Sequence, residues 1–510
     1  AESLDTHVAD LAYHFYEAGT WDKALACSQR AGEKAQAVYA QRAAVEHFTH
    51  ALEAARQLAA APSPQLHRAR GLAHQTLGEF DQARADHEAA LKIAQEAGDR
   101  RAEWQAPLDL GMLWAERDYA RTGDYCQRAL ALARDMGDPS TLAYSLNRVG
   151  NWHLNSGQPL EAVRYHREAL DIFQELNDRR GLAQTLDLLG MASMQSGDLI
   201  QSRAYYEQAV ALLEALDDRQ GLASSLASLA FVGGTFQFEI AERAVKIAHE
   251  IGWRSGEAYA LIMLGFGLGF QGEYARALDS IRSGLNIAEE IEHREWTTAG
   301  HCYLGLLYLD LLALSEAQGH LERALALAHE IGSGYWIQSA VMRLAEAHVA
   351  RHDLGQANAV FEAAFGPSAE VESMGPLALL AQSELALAGG NGELALQCVD
   401  RVIAFMANAP DNFMAPLLSK WRGEALAALQ RDDEAETTLL ASRKGAEAQG
   451  LRPILWRIHL ALGNFYHARA RRAGAESAFA AARTLIEELA AAIPDPALHD
   501  NFARRAFEMI

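Results

Sequence analysis

The sequence predicts an all-α solenoid, a stack of about twelve helical hairpins with no sheet. Three observations predict it. Helix formers dominate: half of the residues are apolar, and only 12 of the 510 are proline. The chain repeats itself in steps of mostly 39 or 40 residues. And 510 residues exceed what one globular core holds, so apolar surface must be shared along an array or divided among domains. An isolated hairpin cannot bury both of its apolar stripes, whereas stacked hairpins lend each other half an interior.

The repeat is plainest in three stretches: STLAYSLNRVGNWHLNSGQPLEAVRYHREALDIFQEL from Ser140, GLAQTLDLLGMASMQSGDLIQSRAYYEQAVALLEAL from Gly181 and GEAYALIMLGFGLGFQGEYARALDSIRSGLNIAEEI from Gly256. Each has an apolar-periodic first segment (helix A), a turn at Gly157, Gly197 or Gly272, and a longer amphipathic second segment (helix B). A register mark recurs inside helix A, at Gly32, Gly71, Gly111, Gly150, Gly190, Ala230, Gly265, Gly305, Ala345, Leu385, Gly423 and Gly463. A small residue there lets helix B approach closely, and Ala209 and Ala244 do the reciprocal job on helix B. Leu385 breaks the small-residue rule, and the step from Ala230 to Gly265 shrinks to 35 around Gly233-Gly234. Asp178 and Asp218 stand where N-caps of the next helix A belong, worth about 1 kcal/mol each.

Both ends depart from this register. Ala12 and Gly32 lie only 20 apart, and AAAPSP (59–64) interrupts before the regular array. At the far end, IPDP from Ile493 stops one helix, and Asp495 with Pro496 caps a last one carrying Leu498, Phe502 and Phe507 as a lid. The expected division is therefore 1–60 irregular helices, 61–490 solenoid, 491–510 capping helix.

Composition excludes several function classes. With 45 basic and 67 acidic residues the formal charge is −22, a field that repels phosphate backbones and anionic membranes. No run of 18 apolar residues offers a membrane span, and AESLDTHVADL is no secretory signal. Cys27, Cys126, Cys302 and Cys398 are scattered with no CxxC pair, as in a reduced, cytoplasmic protein. GFGLG (265–269) sits inside a helix A with no preceding strand, so it is not read as a phosphate loop. His47 and His50 form an HxxH without a third ligand, and HExxH and GxSxG are absent. The expectation is a binding protein, not an enzyme, with no cofactor and no metal.

The Leu-Gly step of helix A, followed by Gly-Asp/Glu-Tyr and Ala, resembles tetratricopeptide repeats lengthened to ~40 residues. That resemblance implies a right-handed superhelix. Lengthened units joined by linkers such as NDRRG (177–181) further resemble the C-terminal arrays of STAND-class signal-transduction ATPases, among them large LuxR-type and maltose-activator-like regulators. LAYHFYEAGTWDKALACSQRAGEKA from Leu11 and IPDPALHDNF from Ile493 carry this second likeness. It implies a sensor that binds a protein, peptide or small-molecule signal and releases an autoinhibited NTPase module of the same larger chain. The sequence contains no GxxxxGK[ST], so the expectation is a fragment with Ala1 as its boundary. A free-standing scaffold and a peptide-responsive regulator of the quorum-sensing type are the competing readings.

In tetratricopeptide arrays helix A lines the concave surface. With the mark counted as position 8, positions 2, 5, 9, 12 and 13 are expected in the groove. These are Tyr144, Asn147, Asn151, Leu154 and Asn155; then Gln184, Asp187, Met191, Met194 and Gln195; then Phe231; then Tyr259, Ile262, Phe266 and Phe270. Asn147, Asn151 and Asn155 make a polar ladder of poor helix formers, which asks for a reason. The aromatic and Met-lined stretch suits an extended or amphipathic peptide. Gly265, Gly267 and Gly269 weaken their helix by roughly 1 kcal/mol each, so 230–270 is expected to be an irregular hinge or pocket.

Overall fold

The computed structural model describes residues 7–61, 63–115, 117–232, 236–366, 371–406 and 412–510. Among these residues there are 26 α-helices in series, one short 3-10 turn at Val371–Ser373, and no strand. Consecutive helices pack as hairpins, and each hairpin packs on the next.

Local chemistry sets the helix ends. The carboxylates of Asp99, Asp138, Asp178 and Asp218 each accept a first-turn backbone N–H, from Ala102, Thr141, Gly181 and Gly221 among others. Most B helices end on a residue or neighbour in the left-handed region, such as Gly98, Gly137, Asn177 or Asp217, which stops the helix and turns the chain. The capping expectation for Asp178 and Asp218 therefore holds atom for atom.

The register marks hold as well. Gly32 faces Phe48, Gly71 faces His87, Gly150 faces His166, Gly190 faces Tyr206 and Gly305 faces Leu321, always sixteen positions on, in helix B of the same hairpin. A Cβ on Gly32 would stand 2.6 Å from Phe48, and one on Gly150 would stand 2.6 Å from His166. Only glycine admits such an approach without a shift. Ala209 and Ala244 on helix B are fully buried, as are Ala230 and Ala345 within a few per cent.

Two expectations are corrected. The helix Arg254–Phe270 runs unbroken through all three of its glycines. Gly265 receives Ile281, Gly267 receives Phe236 and Gly269 receives Leu307, so the glycines are close-contact points, and the irregular part of 230–270 lies before them, where the helix Arg219–Leu229 stops after 11 residues. Gly233-Gly234 lies outside the described residues. At the C-terminus Asp495 caps Pro496–Glu508 and Phe502 is fully buried, but Phe507 points outward at 39% exposure and takes no part in the lid.

The solenoid also closes on itself. Residues about 150–190 positions apart, four to five hairpins along, are hydrogen-bonded. Ser333 donates to the Asn155 carbonyl at 3.2 Å, and Arg452 reaches Glu273 at 2.8 Å. Arg457 reaches Asp310 at 3.0 Å, and Asn501 donates to the Leu312 carbonyl at 3.0 Å. Successive turns thus touch at the ends of their A helices, and the helix-A face between them is termed the inner wall.

Candidate binding site on the inner wall

The inner wall keeps some of the expected groove positions open and closes others. Positions 9 and 13 are half-buried and still reached by water: Asn151, Met191, Phe266 and Glu346 at 9, Asn155, Gln195, Phe270 and Asp310 at 13. Positions 5 and 12 turn away in several units, where Asn147, Ile262 and Leu154 are buried.

Asn147 is the clearest correction. Its amide donates to Thr185 Oγ at 2.7 Å, and its oxygen lies 3.1 Å from Nδ1 of His166, which must then carry the proton. The residue joins neighbouring helices and offers nothing to the inner wall. The next unit repeats the device, with Ser225 donating to Asp187 at 2.5 Å. Burial lifts the Asp187 carboxyl to about 6 and the Ser225 hydroxyl pulls it partly back. Thr185 and Ser225 occupy the same place in successive repeats. At these two steps neighbouring A helices are laced by a side-chain bond, a distinction that alternation of polar and apolar residues does not carry.

The remaining expected residues divide in two. Tyr144 donates to Asp178 at 3.2 Å and sits edge-on to Phe173, while Gln184, Asn151 and Asn155 have free side-chain amides on the wall. Met191 and Met194 are half-buried against the neighbouring apolar cluster. The aromatic stretch is largely spent on itself, contrary to the expectation of an open apolar groove. Phe231 and Tyr259 are 9% exposed, Tyr259 stacking on Trp296 at 4.7 Å and sharing a hydrogen bond with Ser228. Phe270 meets Phe413 at 4.9 Å and Phe266 meets Tyr303 at 4.7 Å. Only a shallow cleft of about 10 Å³, room for about one water, remains beside Phe266, Phe270, Tyr303 and Asp310.

Sequence reasoning missed the charged part of the wall. Arg343 and Glu346 pair at 2.9 Å, Lys420 and Glu424 at 2.8 Å, and Arg457 and Asp310 at 3.0 Å. Burial raises the Asp310 carboxyl, and the Arg457 guanidinium opposes it. On the helix Pro376–Ala388, packed beside Gly334–Ala350, stands Glu384, half-buried. The signal was available: Glu384 is the sole charge in the helix Pro376–Ala388. Uncertainty of register at Leu385 hid it. Among the described residues no group of three or more His, Cys, Asp or Glu side chains could hold a metal ion, and no helix is long and apolar enough to cross a membrane.

Hairpins closed on a small residue, stacked into a superhelix whose helix-A face lines the inside, define a tetratricopeptide-type array. Its structure is similar to that of a Rap protein complexed with competence and sporulation factor, with TM-score 0.41 and 14% identity over 76% of this chain and 98% of that one. It is also similar to yeast Tom70, with TM-score 0.36 and 12% identity over 87% of this chain and 96% of that one. A third similar structure is a STAND protein with a tetratricopeptide repeat sensor from Pyrococcus horikoshii, with TM-score 0.41 and 15% identity over 73% of this chain and 55% of that one. The likeness is one of architecture. Neither a protein-family profile nor the sequence of a characterised protein matches the chain.

Proposed function

We propose that this array is the sensor module of a STAND-type regulator, binding a protein, peptide or small-molecule signal on its inner wall and so relieving autoinhibition of an NTPase module in the same larger chain. Binding rather than catalysis is the activity assigned, in a cytoplasmic protein. The observation that supports the reading is the open row at positions 9 and 13, held opposite turns that touch through few hydrogen bonds. A ligand on that row meets two turns at once and biases how tightly they close, which is the differential contact a switch requires.

The test is a thermal-shift screen on the 510-residue chain. A signal present at 100-fold excess over its Kd stabilises the array by about 2.7 kcal/mol. Replacing Asn155 and Gln195 together by arginine fills the open row, and the shift should vanish while the unliganded Tm stays put. A shift that survives this double substitution places the ligand elsewhere and removes the reading.

A further inference from the structure

We infer that this chain associates head to tail with a second copy of itself, the A-to-B turns of its last four hairpins seating on the B-to-A loops of the second copy's first four. Nothing in these surfaces depends on what the inner wall binds.

The chain already makes this contact within itself. Between successive turns of the superhelix, an A-to-B turn meets a B-to-A loop or the start of the helix that follows it. The Asn155 carbonyl accepts from Ser333, Glu273 accepts from Arg452, and Glu292 accepts from Arg117 at 3.3 Å. Close packing accompanies these bonds. A Cβ on Gly78 would stand 2.9 Å from Ile291, one on Gly157 3.1 Å from Gln338, and one on Gly197 2.7 Å from the Phe405 carbonyl. The tops of the turns laid against the next turn, Gly78, Gly157, Gly197, Gly272 and Leu312, are buried or half-buried.

The same two surfaces recur bare at the two ends of the superhelix. His352, Gly390, Gln430 and Ala470 hold the corresponding left-handed places in the last four hairpins, and all four are exposed. Gly390, unlike Gly78, Gly157 and Gly197, meets nothing within 4 Å. At the other end, Leu58 and Leu176 each stand just before the left-handed residue of a B-to-A loop, and each is 42% exposed. Their counterparts on the next turn are covered. Ile291 lies half-buried against Gly78, and Ile331 is 1% exposed in a cluster with Tyr119 and Trp152 of the turn before. Leu58 and Leu176 thus hold the apolar place of that contact with no turn laid over it among the described residues.

A turn fits a loop and not another turn, so each copy offers one surface to the copy ahead and the other to the copy behind. Such a contact is heterologous. It repeats the step from one superhelical turn to the next, which advances along the axis, so the assembly extends as an open filament and does not close into a ring. Two separate copies lose translational and rotational freedom that the turns of one chain have already given up in folding. Association is therefore weaker than the internal contact and depends on concentration.

The experiment is sedimentation velocity of the 510-residue chain over a range of concentrations. The mean mass should rise above that of a monomer with concentration and show no plateau at the dimer. Leu58→Glu with Leu176→Glu puts unpaired charge into one surface, and Gln430→Glu with Ala470→Glu puts it into the other. The left-handed places at 430 and 470 already hold side chains, so the second pair adds no backbone strain. Each double variant should sediment as a monomer, because loss of either surface removes the contact. An equimolar mixture of the two should form dimers and stop there, since only one intact pair of surfaces remains. Lysine at the same positions should act as glutamate does, and a Tm equal to the parent's shows that the fold is intact. A chain that stays monomeric at every concentration overturns the inference. So does a dimer that either double variant leaves unchanged, or a mixture of the two that stays monomeric.

Discussion

Helix Pro139–Asn155 and helix Pro376–Ala388 occupy the same place in their hairpins, and they treat a polar residue on an apolar stripe in opposite ways. In the first, Gly150 lets His166 press against the backbone, and Asn147 is tied to both His166 and Thr185. In the second, Leu385 stands at the mark, 5% exposed, and the neighbouring Glu384, half-buried, makes no hydrogen bond or ion pair among the described residues. One hairpin spends its polar groups on holding the stack together; the other leaves its one charge half-buried and reached by water. Each side of that contrast can be broken.

The largest effects lie in the packing. Leu385→Ala should empty a filled site and cost about 2–5 kcal/mol. Gly150→Ala adds a carbon where a Cβ would stand 2.6 Å from His166, and overpacking costs typically about 1–3 kcal/mol. Opposite changes of volume at equivalent positions should therefore both lower the urea midpoint. If Gly150→Ala proves neutral, the close approach of the two helices is not what its glycine provides.

Asn147 comes next. Asn147→Ala leaves Thr185 and His166 without their shared partner in a buried place, at a cost of about 1–3 kcal/mol. A double-mutant cycle with Thr185→Val should return a coupling of about 1 kcal/mol, since one hydrogen bond is shared. Additive losses would mean that the two residues do not interact.

The contrast also predicts opposite responses to pH. Burial, with Arg148 adding to it, lowers the His166 imidazole to about 3. Its contribution is present above the unfolded value near 6.5 and is lost as pH falls towards 3. The Glu384 carboxyl is raised, to about 8, so its contribution is present below the unfolded value of 4.5 and is lost as pH rises through 8. His166→Phe, the residue found opposite Gly32, should shift the acid unfolding midpoint downward. Glu384→Leu should stabilise the array, and by more at pH 9 than at pH 6. A Glu384→Leu gain independent of pH would mean that the carboxyl titrates normally.

The hairpins were legible because their signals are local: a small-residue mark mostly 39 or 40 residues apart, an aspartate before the A helices that start after Asp99, Asp138, Asp178 and Asp218, and a left-handed residue after most B helices. Which positions line the inner wall was legible only in part. Side chains at 5 and 12 turn inward or sideways according to the small rotation between units, and that rotation is a sum over many contacts with no sequence pattern of its own. The plug that Phe413 forms against Phe270 joins residues 143 positions apart. Asn147 illustrates the limit. Its oddness as a poor helix former was visible, but its partner, 38 residues on, belongs to the next repeat.

The smallest effect on stability is the sharpest test of the division. Asn151 and Asn155 lie on the same helix as Asn147, and their side chains make no hydrogen bond among the described residues. Asn151→Ala and Asn155→Ala should each change stability by no more than about 0.5 kcal/mol, as for open surface sites. Alanine is the better helix former, so any shift should be a slight gain. Their affinity for whatever the inner wall binds should nevertheless fall, because the amides lost are those the wall leaves open. A variant that destabilises like Asn147→Ala, with ligand affinity untouched, would put these two residues with the lacing of the stack and confine recognition to the charged hairpins beyond residue 334.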